Sequence, residues 1–171
     1  MKLKIYFLSF IFIGSLSCTK EKPILFLGNF DADLEIPAGL NTVETHYFIL
    51  RNIPVYFLQN ALLSGVDTSK ISNISAGRGS INHILGTQDL DFINTISIYA
   101  VSRKDPTVKR EMFYLDFVPF ATRREIRLLS STTELKEVLK EDIVDLEVRL
   151  LFRSFVPNTL RVKLNLGYTV F

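Results

Sequence analysis

Three stretches of this chain alternate apolar and polar residues with a period of two, a rhythm that few folds can use. In 28–37, Phe30, Ala32, Leu34 and Ile36 fall on one side, and Asn29, Asp31, Asp33 and Glu35 on the other. In 144–153, Val144, Leu146, Val148, Leu150 and Phe152 alternate with Asp145, Glu147, Arg149, Leu151 and Arg153, polar but for Leu151. In 160–170, Leu160, Val162, Leu164, Leu166, Tyr168 and Val170 alternate with Arg161, Lys163, Asn165 and Thr169. Successive side chains of a strand point to opposite faces, so each segment buries one face and wets the other. One-sided strands of this kind belong to antiparallel sheets.

Further strands are expected over 91–102 and 110–118, over 70–85 with a break at Gly77 and Gly79, and over 127–129 as a short edge. The segment 42–52 carries Tyr47-Phe48-Ile49-Leu50, apolar on both faces, which predicts a strand that is central in its sheet or covered on both sides. Pro157-Asn158 is expected to fold 144–153 back onto 160–170 as a hairpin, bringing Glu147 and Arg149 opposite Arg161 and Lys163. The segment 55–63, apolar with Gln59 and Asn60 inserted, reads as a short helix or an irregular apolar segment, helix being preferred. Ser131-Thr132-Thr133-Glu134 has the spacing of a capping box and predicts a second helix of two to three turns ending near Lys140. Seven or eight strands with turns at regular spacing predict a mainly β fold: an antiparallel two-sheet sandwich, Ig-like in architecture only, with one or two short helices.

The start of the chain follows another logic. Lys2 and Lys4 precede an apolar run, Ile5 to Leu16, and the only cysteine follows at Cys18. A membrane-spanning helix needs roughly 20 apolar residues, so the run is too short to span and has the layout of a secretory signal. Gly14-Ser15-Leu16-Ser17-Cys18 resembles the lipobox of bacterial lipoproteins, and the pattern is similar to uncharacterised Bacteroidota envelope lipoproteins. The stricter lipobox has Leu three residues before the cysteine and a small residue two before; here Ser15 and Leu16 stand in the reverse order. The resemblance implies a signal peptide over 1–17, a lipidated Cys18 with a tether over 18–23, and one domain over 24–171. It also implies a membrane partner, reached through lipid on Cys18, and a place in the outer membrane, facing the periplasm or the cell surface. Plain cleavage before Cys18, without lipid, remains the other route.

Composition narrows the function classes. Net charge is +2 with Lys2 and Lys4 counted, so residues 18–171 are balanced and give no reason to expect nucleic-acid binding. A lone cysteine forbids an intrachain disulfide, and lipidation accounts for its count and position. Asp31, Asp33 and Glu35 begin like a calcium loop, but Ile36 stands where the loop needs glycine and no glutamate follows at its twelfth position. They read first as a solvated strand face, and as a weak metal candidate only if Asp89 and Asp91 approach. His46 and His83 are the only histidines, too few for a zinc site. Gly77-Arg78-Gly79-Ser80 lacks the lysine of a phosphate loop and reads as a flexible turn. Arg103, Lys104, Lys109 and Arg110 flank one turn and Arg123, Arg124 and Arg127 the end of the next strand. Alternate turns of a meander lie at opposite ends, so they read first as edge and turn charges that deter aggregation, and as a patch for anionic headgroups or a glycan only if they converge.

No catalytic motif and no cofactor site emerge. The expected function is a lipid-anchored envelope protein whose β domain binds or supports an envelope protein or glycan. An envelope hydrolase or transferase with an unrecognised site is one alternative. A carbohydrate-binding module is the other, and a flat Tyr-lined face would favour it.

Overall fold

The structure is a computed structural model that describes residues 22–84, 89–122, 124–156 and 158–171. The signal residues 1–17, Cys18, the first part of the tether, Arg123 and Pro157 lie outside the described residues. Eight strands form the body: β1 (Phe26–Ile36), β2 (His46–Pro54), β3 (Ile74–His83), β4 (Ile93–Val101), β5 (Lys109–Leu115), β6 (Glu125–Ser130), β7 (Ile143–Phe152) and β8 (Leu160–Val170). Helix α1 (Phe57–Leu63), one 3₁₀ turn (Thr68–Lys70) and the single-turn α2 (Lys136–Leu139) complete it.

The mainly β, antiparallel expectation holds. All eight strands belong to one sheet in the order β1-β8-β3-β6-β5-β4-β7-β2, with every pairing antiparallel. The sheet curls until its outermost strands, β1 and β2, approach each other, so it is nearly a closed barrel. A boundary between two sheets is not drawn by the hydrogen bonding. The weakest joint is β5 to β6, where only Phe113 opposite Ser130 and Tyr114 opposite Leu129 pair.

The alternating stretches place their apolar sets inside. Phe30, Ala32, Leu34, Ile36, Val144, Leu146, Val148, Leu150, Val162, Leu164 and Leu166 all belong to one core cluster. Each such aliphatic side chain contributes about 1.5–3 kcal/mol on burial, so this cluster is the main stabilising element. Tyr168 also lies inside, its ring against Gly28, where a Cβ would sit 2.0 Å from Tyr168 Cζ. Its hydroxyl donates to the Val55 carbonyl at 3.0 Å and accepts from Asn60 Nδ2 at 3.1 Å. Burial pushes this phenol up in pKa.

Several expectations need correction. β7 and β8 do not form a hairpin: β7 pairs with β4 and β2, and β8 with β1 and β3. Both strands are apolar on one face and polar on the other, so alternation specified their faces and not their partners. β2 is an outermost strand with its outward face open, and Tyr47 is 61% exposed. Residues 125–130 form an interior strand of the sheet rather than an edge. The Gly77–Ser80 segment is strand, with a bulge in the β3–β8 register between Ala76 and Gly79. Glycine inside a strand marks a bulge or a close backbone approach. The capping box does not form: Ser131 Oγ accepts from the Thr133 N–H at 3.3 Å, and α2 begins only at Lys136. That stretch packs Leu135, Val138 and Leu139 into the core instead.

One end of the barrel is plugged. The chain enters β1 there, and Leu25 N–H donates to Val170 O at 2.8 Å. Helix α1 packs on the start of β1 through Phe57, whose ring lies 6.0 Å from that of Phe26. Its own N-cap residue, Tyr56, offers no side-chain cap; Asp142 Oδ1 accepts the Leu58 N–H at 3.0 Å from across the fold. That exchange satisfies one of the amides a helix start leaves unpaired.

Candidate functional site

The outer face of β1, β8, β3 and β6 forms an open groove of about 900 Å³. Register places its side chains. Asp31 lies opposite Asn165, Asn165 opposite Ser80, and Ser80 opposite Arg127, giving one row across four strands. One step along, Asn29 lies opposite Gly167, and the β3 bulge sets Gly77 and Arg78 beside it. The floor is backbone. A Cβ on Gly77 would come 3.1 Å from the Gly167 carbonyl carbon, so the two strands meet there with no side chain between them. Ser130 Oγ donates to the Gly77 carbonyl and holds the rim.

The groove is polar and its charges are wet. Arg127 pairs with Glu125 at 3.8 Å within it, Lys163 pairs with Asp31 at 3.2 Å on its border, and Arg161 pairs with Glu35 at 3.2 Å further along β1 and β8. Exposed pairs of this kind each contribute about 0–1 kcal/mol. The Arg127 side chain is 86% exposed, and Arg78 forms no ion pair among the described residues. A ligand entering the groove meets amides, a hydroxyl, carboxylates and two guanidinium groups at low reorganisation cost.

The outer face of β2, β7, β4 and β5 is built differently. Glu147 is only 5% exposed although it points away from the core. Lys109 donates to its Oε2, and Arg149 donates Nε to its Oε1 at 2.8 Å. The Arg149 guanidinium lies 4.2 Å from the Tyr99 ring centroid and 5.3 Å from that of Tyr47, so two tyrosines flank it. Burial alone would push the Glu147 carboxyl up; hydrogen bonds and charge from Lys109 and Arg149 outweigh it and hold the group below the usual carboxylate range. Burial and the neighbouring Glu111 carboxylate push the Tyr99 phenol up. This is a filled lattice with its polar groups matched inside the protein. Tyr99 and Tyr47 both lie beside Arg149, and Tyr47 stays largely exposed.

Asp31, Asp33 and Glu35 sit where the alternation puts them, exposed on one face of β1. Asp31 and Glu35 are engaged by the cations of β8. No group of three potential metal ligands converges among the described residues. His46 stacks on Phe152 at 5.3 Å and its Nε2 lies 3.0 Å from the Asn41 carbonyl; His83 ends β3 in the other half of the sheet. Arg103 and Lys104 lie at the plugged end and Arg124 at the opposite one, as a meander requires. Cys18 is outside the described residues.

Sequence reasoning missed Asn29, Ser80, Arg127 and Asn165 as a set. All are outward positions of strands, but they become neighbours only through the order β1-β8-β3-β6. The one local signal was Gly77 and Gly79 within a strand pattern. No protein-family model and no curated protein matches this chain.

Proposed function

We propose that this protein is a lipid-anchored component of a bacterial cell envelope whose β domain binds a polar partner without chemistry of its own. The observation that carries the binding reading is the open groove: backbone at Gly77 and Gly79 beside a row of hydrogen-bonding side chains. Open clefts with convergent polar groups are where ligands bind by default. The flat array of amide, hydroxyl and guanidinium groups suits an extended polar chain, and a glycan is the reading this lining favours. In architectural terms the two four-stranded halves act as layers of an open sandwich joined at β5 and β6.

The anchor reading rests on Lys2 to Cys18. Acylated Cys18 becomes the mature N-terminus, and Thr19 rather than aspartate after it points to the outer membrane. Labelling cells with an alkyne fatty acid tests this: wild type takes up label and Cys18→Ser does not. Equal labelling of the two, or a free thiol at Cys18, contradicts it. The hydrolase or transferase reading has no observation in its favour.

The binding reading is tested by titrating the purified chain with envelope oligosaccharides and extended peptides of either charge. A member of this panel should bind and be recovered unaltered. Arg127→Ala combined with Asn165→Ala should weaken it about tenfold, the loss of about 1.4 kcal/mol of hydrogen bonding. Turnover of the ligand, or an unchanged affinity in the double variant, overturns it.

A further inference from the structure

We infer that α1 lays its leucine face on the bilayer to which Cys18 anchors the chain, so that the plugged end of the barrel is the membrane-facing end. The inference rests on the anchor reading above and adds an orientation to it. Phe57 and Ala61 hold α1 to the core, while Leu62 and Leu63 are 81% and 77% exposed and Leu58 shares their outer side. Ile24, just before β1, is exposed as well. One seven-residue helix thus presents three leucines with no protein partner among the described residues.

The length and exit point of the chain choose the occupant. The tether enters β1 at the end that α1 plugs, as the Leu25–Val170 hydrogen bond and the Phe26–Phe57 contact show. Residues 19–23 reach at most about 18 Å when extended. An 11-residue strand such as β8 is about 36 Å long. The tether is therefore too short to bring the far end of the barrel to the bilayer while its own end stays away. The far end carries exposed apolar residues too, Phe117, Phe120 and Phe155, but it lies a strand length from the anchor. An apolar helix face lying in the interface sits about 5–10 Å into the headgroup and acyl boundary. The four-stranded groove then stands upright on the membrane, its long axis open to the aqueous side.

The chain contains no tryptophan, so one introduced tryptophan reports alone. The full lipidated chain carrying Leu62→Trp, and separately Phe120→Trp, is reconstituted into phosphatidylcholine vesicles with or without brominated acyl chains. Leu62→Trp should shift its emission to the blue on reconstitution and be quenched at least about twofold by the brominated lipid, as insertion to the acyl boundary requires. Phe120→Trp should respond to neither. A chain that floats with the vesicles while Leu62→Trp stays unquenched overturns the docking and leaves the anchor standing. Quenching of Phe120→Trp in its place overturns the orientation. Emission already blue without vesicles, and unquenched with them, assigns the face to another part of the chain or to a second copy and also overturns it. A wild-type chain that fails to float contradicts the anchor reading itself and removes the docking with it.

Discussion

The two outer faces of this sheet use the same kinds of residue to opposite ends. On β2, β7, β4 and β5, Glu147, Arg149 and Lys109 close on one another, and Tyr47 and Tyr99 roof the Arg149 guanidinium. On β1, β8, β3 and β6, Asp31 pairs with Lys163 at the border of the glycine-containing groove and Glu35 with Arg161 further along the strands, both in solvent. The difference is the presence of large side chains beside the charges. Where tyrosines flank the guanidinium, the Glu147 carboxylate is buried and takes its hydrogen bonds from Lys109 and Arg149. Where glycine and serine stand beside them, water stays and a ligand can replace it. The first face satisfies a buried carboxylate from within the protein; the second leaves its ion pairs in solvent.

The largest expected effect comes from two neighbours in β8, on opposite sides of the groove floor. Leu164 is fully buried and Asn165 points into the groove. Leu164→Asp should unfold the domain, because an unpaired buried carboxylate costs several kcal/mol out of a usual total of about 5–15 kcal/mol. Asn165→Asp should leave far-UV circular dichroism and the urea midpoint unchanged. Equal damage from both would mean that the groove row is part of the core.

Next comes the contrast between the two sets of charges. Glu147→Ala leaves the Lys109 ammonium and the half-buried Arg149 guanidinium without their acceptor, and hydrogen bonds to charged groups are worth about 1.5–3 kcal/mol. Its urea midpoint should fall by a corresponding amount. Glu35→Ala removes one solvated pair with Arg161 and should change stability by less than about 0.5 kcal/mol. Similar losses would erase the distinction between the faces.

A smaller effect follows from pH. Glu147 is held below its ordinary carboxylate range in the folded state, so it binds its proton less readily there than in the unfolded chain. Its stabilisation is therefore fully present above the unfolded glutamate value, about 4.3, and is lost as pH falls through the folded value. The gap in urea midpoint between wild type and Glu147→Gln should narrow as pH is lowered through that window. A constant gap would show that the carboxylate charge contributes nothing.

Much of the fold could be read before any coordinates. The inward sets of β1, β7 and β8 follow from alternation alone, while the apolar run after Pro54 leaves α1 open between a helix and an irregular segment. Partners could not be read. β7 and β8 look like a hairpin because a turn dipeptide separates two similar strands, yet each pairs with strands far away in sequence. β5 illustrates a local limit: Met112 and Phe113 are adjacent and both buried, because the β4–β5 register shifts between Ile98 and Tyr99 and breaks the alternation. The groove was invisible for the same reason as the pairing. Asp31, Asn165, Ser80 and Arg127 are spread along most of the chain, and only the strand order makes them a row.

The most direct test of the division between an open face and a closed one is residue-resolved amide chemical-shift mapping of the tightest ligand from the titration panel. Saturation should move Asn29, Asp31, Arg78, Ser80, Arg127 and Asn165 while leaving Tyr47, Tyr99, Glu147 and Arg149 in place. Shifts gathered on the Tyr47–Arg149–Tyr99 face, with the groove silent, would contradict the account.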